Sequence, residues 1–417
     1  MRDDVQPRQA GLKMGAPPQV LSLSSVFPRP DEPRFGLFVA RRLERLARIA
    51  PVEAVVPVPW LETSGPRPRI PKLEKSRTPA WGNLAVHYRR WLYPPGLGAW
   101  HAAWMAAQLM PFLSRLRQRF KFDVIDAHFG YPEGAAALRL ARRLGVPFTV
   151  TLRGAELVHA RSPRRCSQMA DAFRHAAAVI AVSGQLRELA VSLGADPERA
   201  VVIGNGVDTA VFHPRAQEDC RRRLAMDPAR LHIVSAGWLV EEKGHHRIAA
   251  LLPRLHAAGL QADLWILGDP GRGKDARPEL QRIIAAHRLE GHVHMPGAVP
   301  PQILAEYMSA CDVCCLASLR EGWPNVVQEA LACGAPVVAT RVGAVPDLIP
   351  SGEFGLVVPP GDDEALLAAL DRALRTRFDR GRIAGLGGSR SWDRVAAEAL
   401  DVLRGATRQP RAQKEGL

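Results

Sequence analysis

Cysteine is scarce in this chain, and the shortage excludes a disulfide-built secreted scaffold: there are six in 417 residues. Cys311, Cys314 and Cys315 share one apolar run, the setting of reduced core thiols in a cytosolic protein. Long apolar runs are missing too. The longest weakly polar one, 102–113, is interrupted by Gln108 and Pro111. It falls short of the roughly 18 to 20 residues that a membrane-spanning helix needs. The opening MRDDVQPRQAGLKMGAPP has early acids and no apolar stretch, so residues 1–18 read as a disordered leader rather than a secretory signal.

Metal and nucleotide-loop patterns are absent as well. Cys311-x-x-Cys314 has no second ligand pair, and His245-His246 lacks a Glu-x-x-His companion. GDPGRGKDARP has neither the spacing of a P-loop nor its Ser/Thr. No metal cofactor is expected. No zinc-finger, RNP or helix-turn-helix pattern points to nucleic acid.

Acidic residues fall short of basic ones, 42 Asp+Glu against 56 Lys+Arg, which leaves a net charge of +14 and calls for an acidic partner. Split at Arg215, the first half holds 31 basic and 17 acidic residues and the second 25 and 25, so the whole excess lies in the first half. It is densest over 60–121, with 11 basic residues, two acids (Glu62 and Glu74) and five of the nine tryptophans, Trp60, Trp81, Trp91, Trp100 and Trp104. Cations interleaved with indoles suit an anionic membrane surface, because indoles settle at headgroup level and each Lys or Arg adds about 1 kcal/mol of attraction. A solvated basic loop followed by a core-packing helix explains the same composition.

What the chain does have is 47% hydrophobic residues, enough for two substantial cores. Short β-rich runs alternate with helical periodicity throughout, the pattern of parallel sheets covered by helices on both faces. Strands are expected at 19–25, 52–58, 122–127, 147–152, 177–182 and 200–203, then at 231–236, 262–267, 292–295, 312–316, 336–339 and 354–358. Helices fill the gaps, for example over 38–49 and 133–144. The fold class is α/β, two doubly wound Rossmann-like domains. The turn-rich IGNGVDTAVFHPR separates them near 206–216, giving domains 19–210 and 211–390. An amphipathic stretch makes a C-terminal helix over 391–404, placed to cross back to the first domain, and 405–417 is a frayed tail.

The most informative segment is SLREGWPNVVQEALACGAPVVAT, 318–340. Gly322, Trp323, Pro324 and Asn325 would offer unpaired N–H groups at a helix N-terminus, a ready anion site. Glu321 and Glu329 bracket the helix start, where carboxylates suit sugar hydroxyls. This segment resembles the E-x(7)-E signature of the GT-B-fold retaining glycosyltransferases, in particular glycosyltransferase family 4. IGNGVDTAVFHP, AGWLVEEKG and SGEFGLVVPPGD resemble other stretches of that family, and DAHFGYPEG and TLRGAEL resemble its acceptor-side His loop and H-G-x-D turn. The likeness runs over roughly 19–375, more strongly in the second half.

The resemblance implies a metal-independent enzyme that moves a sugar from a nucleotide diphosphate sugar, which is its co-substrate in place of any cofactor, with retention of configuration. It sets the two Rossmann-like domains facing a central cleft, the first acceptor-binding and the second nucleotide-sugar-binding. It implies that Glu321 meets the donor sugar, Glu329 the ribose and Lys243 the diphosphate. The amides of Gly322 to Val326 would meet sugar and phosphates, Gly36 would let backbone approach the donor phosphate, and His128 would line the cleft at the acceptor. Three positions depart from the family pattern. Trp238 stands where Arg is usual, removing a cation, while TLRGAEL has Arg153 for His and Glu156 for Asp. Arg153 or Arg247 is expected to restore the missing charge. The acceptor is expected to be lipid-linked or a saccharide of cell-surface polysaccharide synthesis, met at the inner face of the cytoplasmic membrane through 60–121. A soluble acceptor, a non-catalytic nucleotide-sugar binder and an epimerase are the alternatives.

Overall fold

The computed structural model describes residues 16–62, 70–71, 81–94, 96–271 and 273–408. Most of the leader, the end of the tail and five of the 11 basic residues of 60–121 lie outside them. The first sheet has seven parallel strands, β1 (Val20–Leu23), β2 (Val52–Pro59), β3 (Ala85–Trp91), β4 (Val124–His128), β5 (Phe148–Leu152), β6 (Ala178–Ala181) and β7 (Ala200–Val202), in the order β3-β2-β1-β4-β5-β6-β7. The second has six, β8 (Leu231–Ala236), β9 (Ala262–Leu267), β10 (Val293–His294), β11 (Val313–Leu316), β12 (Val337–Thr340) and β13 (Gly355–Val358), in the order β10-β9-β8-β11-β12-β13.

Twelve of these strands are the expected ones, each within two residues. They were visible because helices cover both faces of a parallel sheet, so β1, β4, β5, β6, β11 and β12 are buried at every residue and read as unbroken apolar runs. β3 was not expected. It is an edge strand paired along β2, and only Trp91 at its end is buried, so AVHYRRW carries no apolar run to betray it.

β3 also revises the picture of an interfacial tryptophan segment. Trp91 is buried against Tyr93 and His101, and Trp81 packs edge-on against Phe27. Trp60 and Trp100 remain exposed, together with Leu61, Leu92 and Leu97. The following helix, His101–Arg119, accommodates Pro111 in its interior.

In each sheet the strand order reverses beside the first strand, between β1 and β4 and between β8 and β11. Ligands of open α/β sheets bind beyond the carboxyl ends of the strands at such points. The final helix, Trp392–Arg408, returns to the first sheet. Its Ala396, Leu400, Leu403 and Ala406 join Val39, Leu43 and Leu46 of helix Leu37–Leu46 in one core. It runs four residues beyond the expected end because Ala406 is still covered there. The chain thus passes between the two units twice, and the crossings touch: Val207 N donates to Arg390 O at 2.9 Å, beside a Val207–Ser391 bridge.

Candidate active site

The two switch points face each other. On the second unit, the turn after β8 carries Trp238 and the short 3-10 segment Glu241–Lys243, while the loop after β11 carries Ser318 and Glu321. Glu321 Oε1 accepts from Lys243 Nζ at 2.5 Å and from Ser318 Oγ at 2.8 Å. Behind Glu321 begins helix Asn325–Ala332, with Pro324 at its N-cap, no side-chain cap and no acid in its first turn. The amides over 322–326 are the free positive end of that helix.

Glu329, one turn further along, is partly buried and has no hydrogen-bonding partner among the described residues. Burial pushes its carboxyl up to about 7. The Trp323 side chain is held between the two units. Its indole donates to Gln328 Oε1 at 3.0 Å and packs into both cores, wedged against Gly204 of the linker.

On the first unit, helix Leu37–Leu46 starts at Gly36, again without a side-chain cap or a first-turn acid. Gly36 has φ 74°, and a Cβ there would lie 2.7 Å from the Val26 carbonyl. The close approach that this glycine permits is therefore made by the protein's own backbone.

The His128 expectation needs correction. It ends β4 and is fully buried, so it does not line an open cleft wall. Its Nδ1 accepts from Arg153 Nε at 3.2 Å and Nη2 at 3.1 Å, and its Nε2 lies 3.3 Å from Asp126 Oδ2 without forming a hydrogen bond. Burial pushes the ring down to about 4 despite Asp126. The neutral ring thus carries its hydrogen on Nε2, and neither nitrogen is free to take an acceptor proton. Asp126 is held below the ordinary carboxylate range, chiefly because the Arg42 charge offsets the cost of its burial.

Arg153 and Arg247, the two candidates for the missing cation, now separate. Arg247 Nε donates to Asp363 Oδ1 at 2.8 Å, so its charge is already paired. Arg153 Nη1 donates to Asn205 Oδ1 at 3.0 Å, and no carboxylate pairs with its side chain among the described residues. Trp238 is exposed and leans on the loop at Gly271.

The units meet where Arg153 and Gly154 abut Glu321 and Gly322. A Cβ on Gly322 would stand 2.0 Å from Arg153 O, so only glycine fits there. Sequence reasoning missed Asn205, read only as a turn former, whose Nδ2 donates to Asn325 Oδ1 at 2.9 Å. It also missed the role of Glu156, which accepts from the backbone N–H groups of Gly130, Arg153 and Gly154 and so ties together the loops after β4 and β5. Glu133, buried and bonded to Ser25, was likewise not singled out, and burial raises its carboxyl to about 7. Carboxylates that hold a loop's backbone leave no local pattern in sequence.

Two parallel Rossmann-like sheets with facing switch points define the GT-B fold, and known proteins agree. Residues 230–376 match the family model described as glycosyl transferases group 1, and residues 62–211 match that of glycosyltransferase family 4. A D-inositol 3-phosphate glycosyltransferase of Pseudarthrobacter chlorophenolicus is 32% identical over 312 residues, 70% of this chain and 73% of its own. A Bacillus subtilis glycosyltransferase named for teichuronic acid biosynthesis, TuaC, is 27% identical over 85% of this chain and 88% of its own. Among solved structures, sucrose-phosphate synthase of Thermosynechococcus elongatus superposes with a TM-score of 0.71 at 19% identity, over 93% of this chain and 98% of that one. Anabaena HepE in complex with UDP-glucose gives 0.65 at 21% identity, over 94% and 98%. The chain belongs to the group 1, family 4 glycosyltransferases.

Proposed function

We propose that the protein is a retaining, metal-independent glycosyltransferase that moves a sugar from a nucleotide diphosphate sugar to a lipid-linked or saccharide acceptor in cell-surface polysaccharide synthesis, working at the inner face of the cytoplasmic membrane. The observation that carries this reading is the Lys243–Glu321 pair beside the uncapped start of helix Asn325–Ala332, at the second switch point. As they stand, the two charges satisfy each other. A donor would exchange that pairing for two better ones, diphosphate on Lys243 and sugar hydroxyls on Glu321, with Glu329 free to accept from the ribose. Charge developing on the departing diphosphate meets Lys243 and a helix end without any metal.

Relatives named for teichuronic and colanic acid biosynthesis support a polysaccharide acceptor, and HepE, solved with UDP and with UDP-glucose, supports a nucleotide-sugar donor. Among the described residues no helix is long and apolar enough to cross a membrane. Exposed Trp60, Leu92, Leu97 and Trp100, on the strand-end side of a unit holding the whole positive excess, support attachment to an anionic surface. The inositol phosphate relatives favour a second reading, with a soluble acceptor.

The test is release of nucleoside diphosphate from a panel of donors, with and without membrane lipid extract, beside a Glu321→Ala control. Release that needs the extract and disappears in the variant is the expected result. Release that needs only a soluble acceptor selects the second reading. Binding of donor without release under any condition would sink both and leave a nucleotide-sugar-binding protein.

A further inference from the structure

Two helix N-termini converge on the cleft, one from each unit, and neither has a capping side chain or an acid in its first turn. Helix ends of this kind hold anions, but by themselves they do not make a site. A second observation lies between them. Arg153 is 8% exposed, with its guanidinium carbon 5.1 Å over the ring of Phe38, the second residue of helix Leu37–Leu46. On its other side, Nη1 reaches Asn205, which is bonded in turn to Asn325, the first residue of helix Asn325–Ala332. The cation therefore sits against the first turn of one helix and one bridging amide away from the other.

Its hydrogen bonds are incomplete in an informative way. A guanidinium has five N–H donors. Nε and Nη2 point to His128 Nδ1 and Nη1 points to Asn205, so one N–H on each terminal nitrogen has no partner recorded among the described residues. A buried cation held only by neutral acceptors is costly unless an anion completes its shell. The neighbouring acids have other tasks: Asp126 bonds Thr149 and pairs with Arg42, and Glu156 holds three backbone amides. Burial and Arg42 lower Arg153 to about 9, which leaves it charged at neutral pH.

We propose that Arg153 is the second cation of the donor site, binding the nucleotide's diphosphate between the two helix N-termini and supplying the charge that Trp238 does not. His128 is then a positioning residue: a neutral acceptor that fixes the guanidinium plane without cancelling its charge. The inference rests on the donor reading above, and it predicts which part of the donor Arg153 senses.

The test compares the full-length protein with Arg153→Gln and Arg153→Lys in calorimetric titrations. The probes are whichever of UDP, GDP and ADP the parent binds, and the matching nucleoside monophosphate, over a series of salt concentrations. Arg153→Gln is expected to weaken the diphosphate about 10- to 100-fold, to change the monophosphate less than about threefold and to make the salt dependence shallower. Arg153→Lys, which keeps the charge but loses the fork, is expected to recover part of the loss and guards against a glutamine variant that does not fold. Unchanged diphosphate affinity, or equal weakening of diphosphate and monophosphate, would show that Arg153 only supports the interface and overturn the proposal. If the parent binds none of the diphosphates, the donor reading itself fails and takes this proposal with it.

Discussion

At the residue scale, Glu329 stands apart in the site: it has no hydrogen-bonding partner among the described residues, and burial raises its carboxyl to about 7. If it accepts hydrogen bonds from ribose hydroxyls, bound nucleotide favours the ionised form and lowers that pKa. Affinity should then be level above pH 7 and fall as the pH drops below it, because binding must first remove a proton. Titrations of nucleoside diphosphate between pH 5.5 and 8.5 check the sign, and Glu329→Gln should bind more weakly at pH 8 with a flatter profile. A profile that is unchanged in the variant would assign the titration elsewhere, with Glu133, also near 7, the first group to test.

Glu321, Glu329 and Lys243 stood out in sequence because a loop entering a helix and the helix itself are local patterns. His128 was identified too, but its burial was not, because that depends on Arg153 and Asp126 from other parts of the chain.

At the element scale, what was legible tracks burial. Strands covered on both faces announce themselves as apolar runs, whereas β3, covered by little and paired on one side, does not. The start of helix Leu37–Leu46 shows how one turn can be over-determined. Gly36 needs a left-handed φ and also sits where a Cβ would strike the Val26 and Phe27 backbone. Gly36→Ala is expected to destabilise the protein by about 1–3 kcal/mol, read as a lower midpoint in urea. It should weaken donor binding as well, since relief of the clash would swing this helix end away from the cleft. A variant as stable as the parent would show that the turn relaxes without cost.

At the scale of the whole molecule, the last helix matters out of proportion to its length. Leu403 is fully buried in the core that it shares with helix Leu37–Leu46. Leu403→Ala should therefore cost about 2–5 kcal/mol by chemical denaturation, and the loss should appear in the first unit although the residue follows the second in sequence. A loss confined to the second unit, read from protection of its amides, would contradict the packing.

The same crossing has a bearing on how the chain is made. A polypeptide leaves the ribosome from its N-terminus, and units usually fold as they emerge. Here the core that begins at Val20 is not filled until Leu400 and Leu403 arrive, after the second sheet is complete. The first unit must wait with an open apolar groove while its partner folds, so the half of the cleft synthesised first is the half finished last.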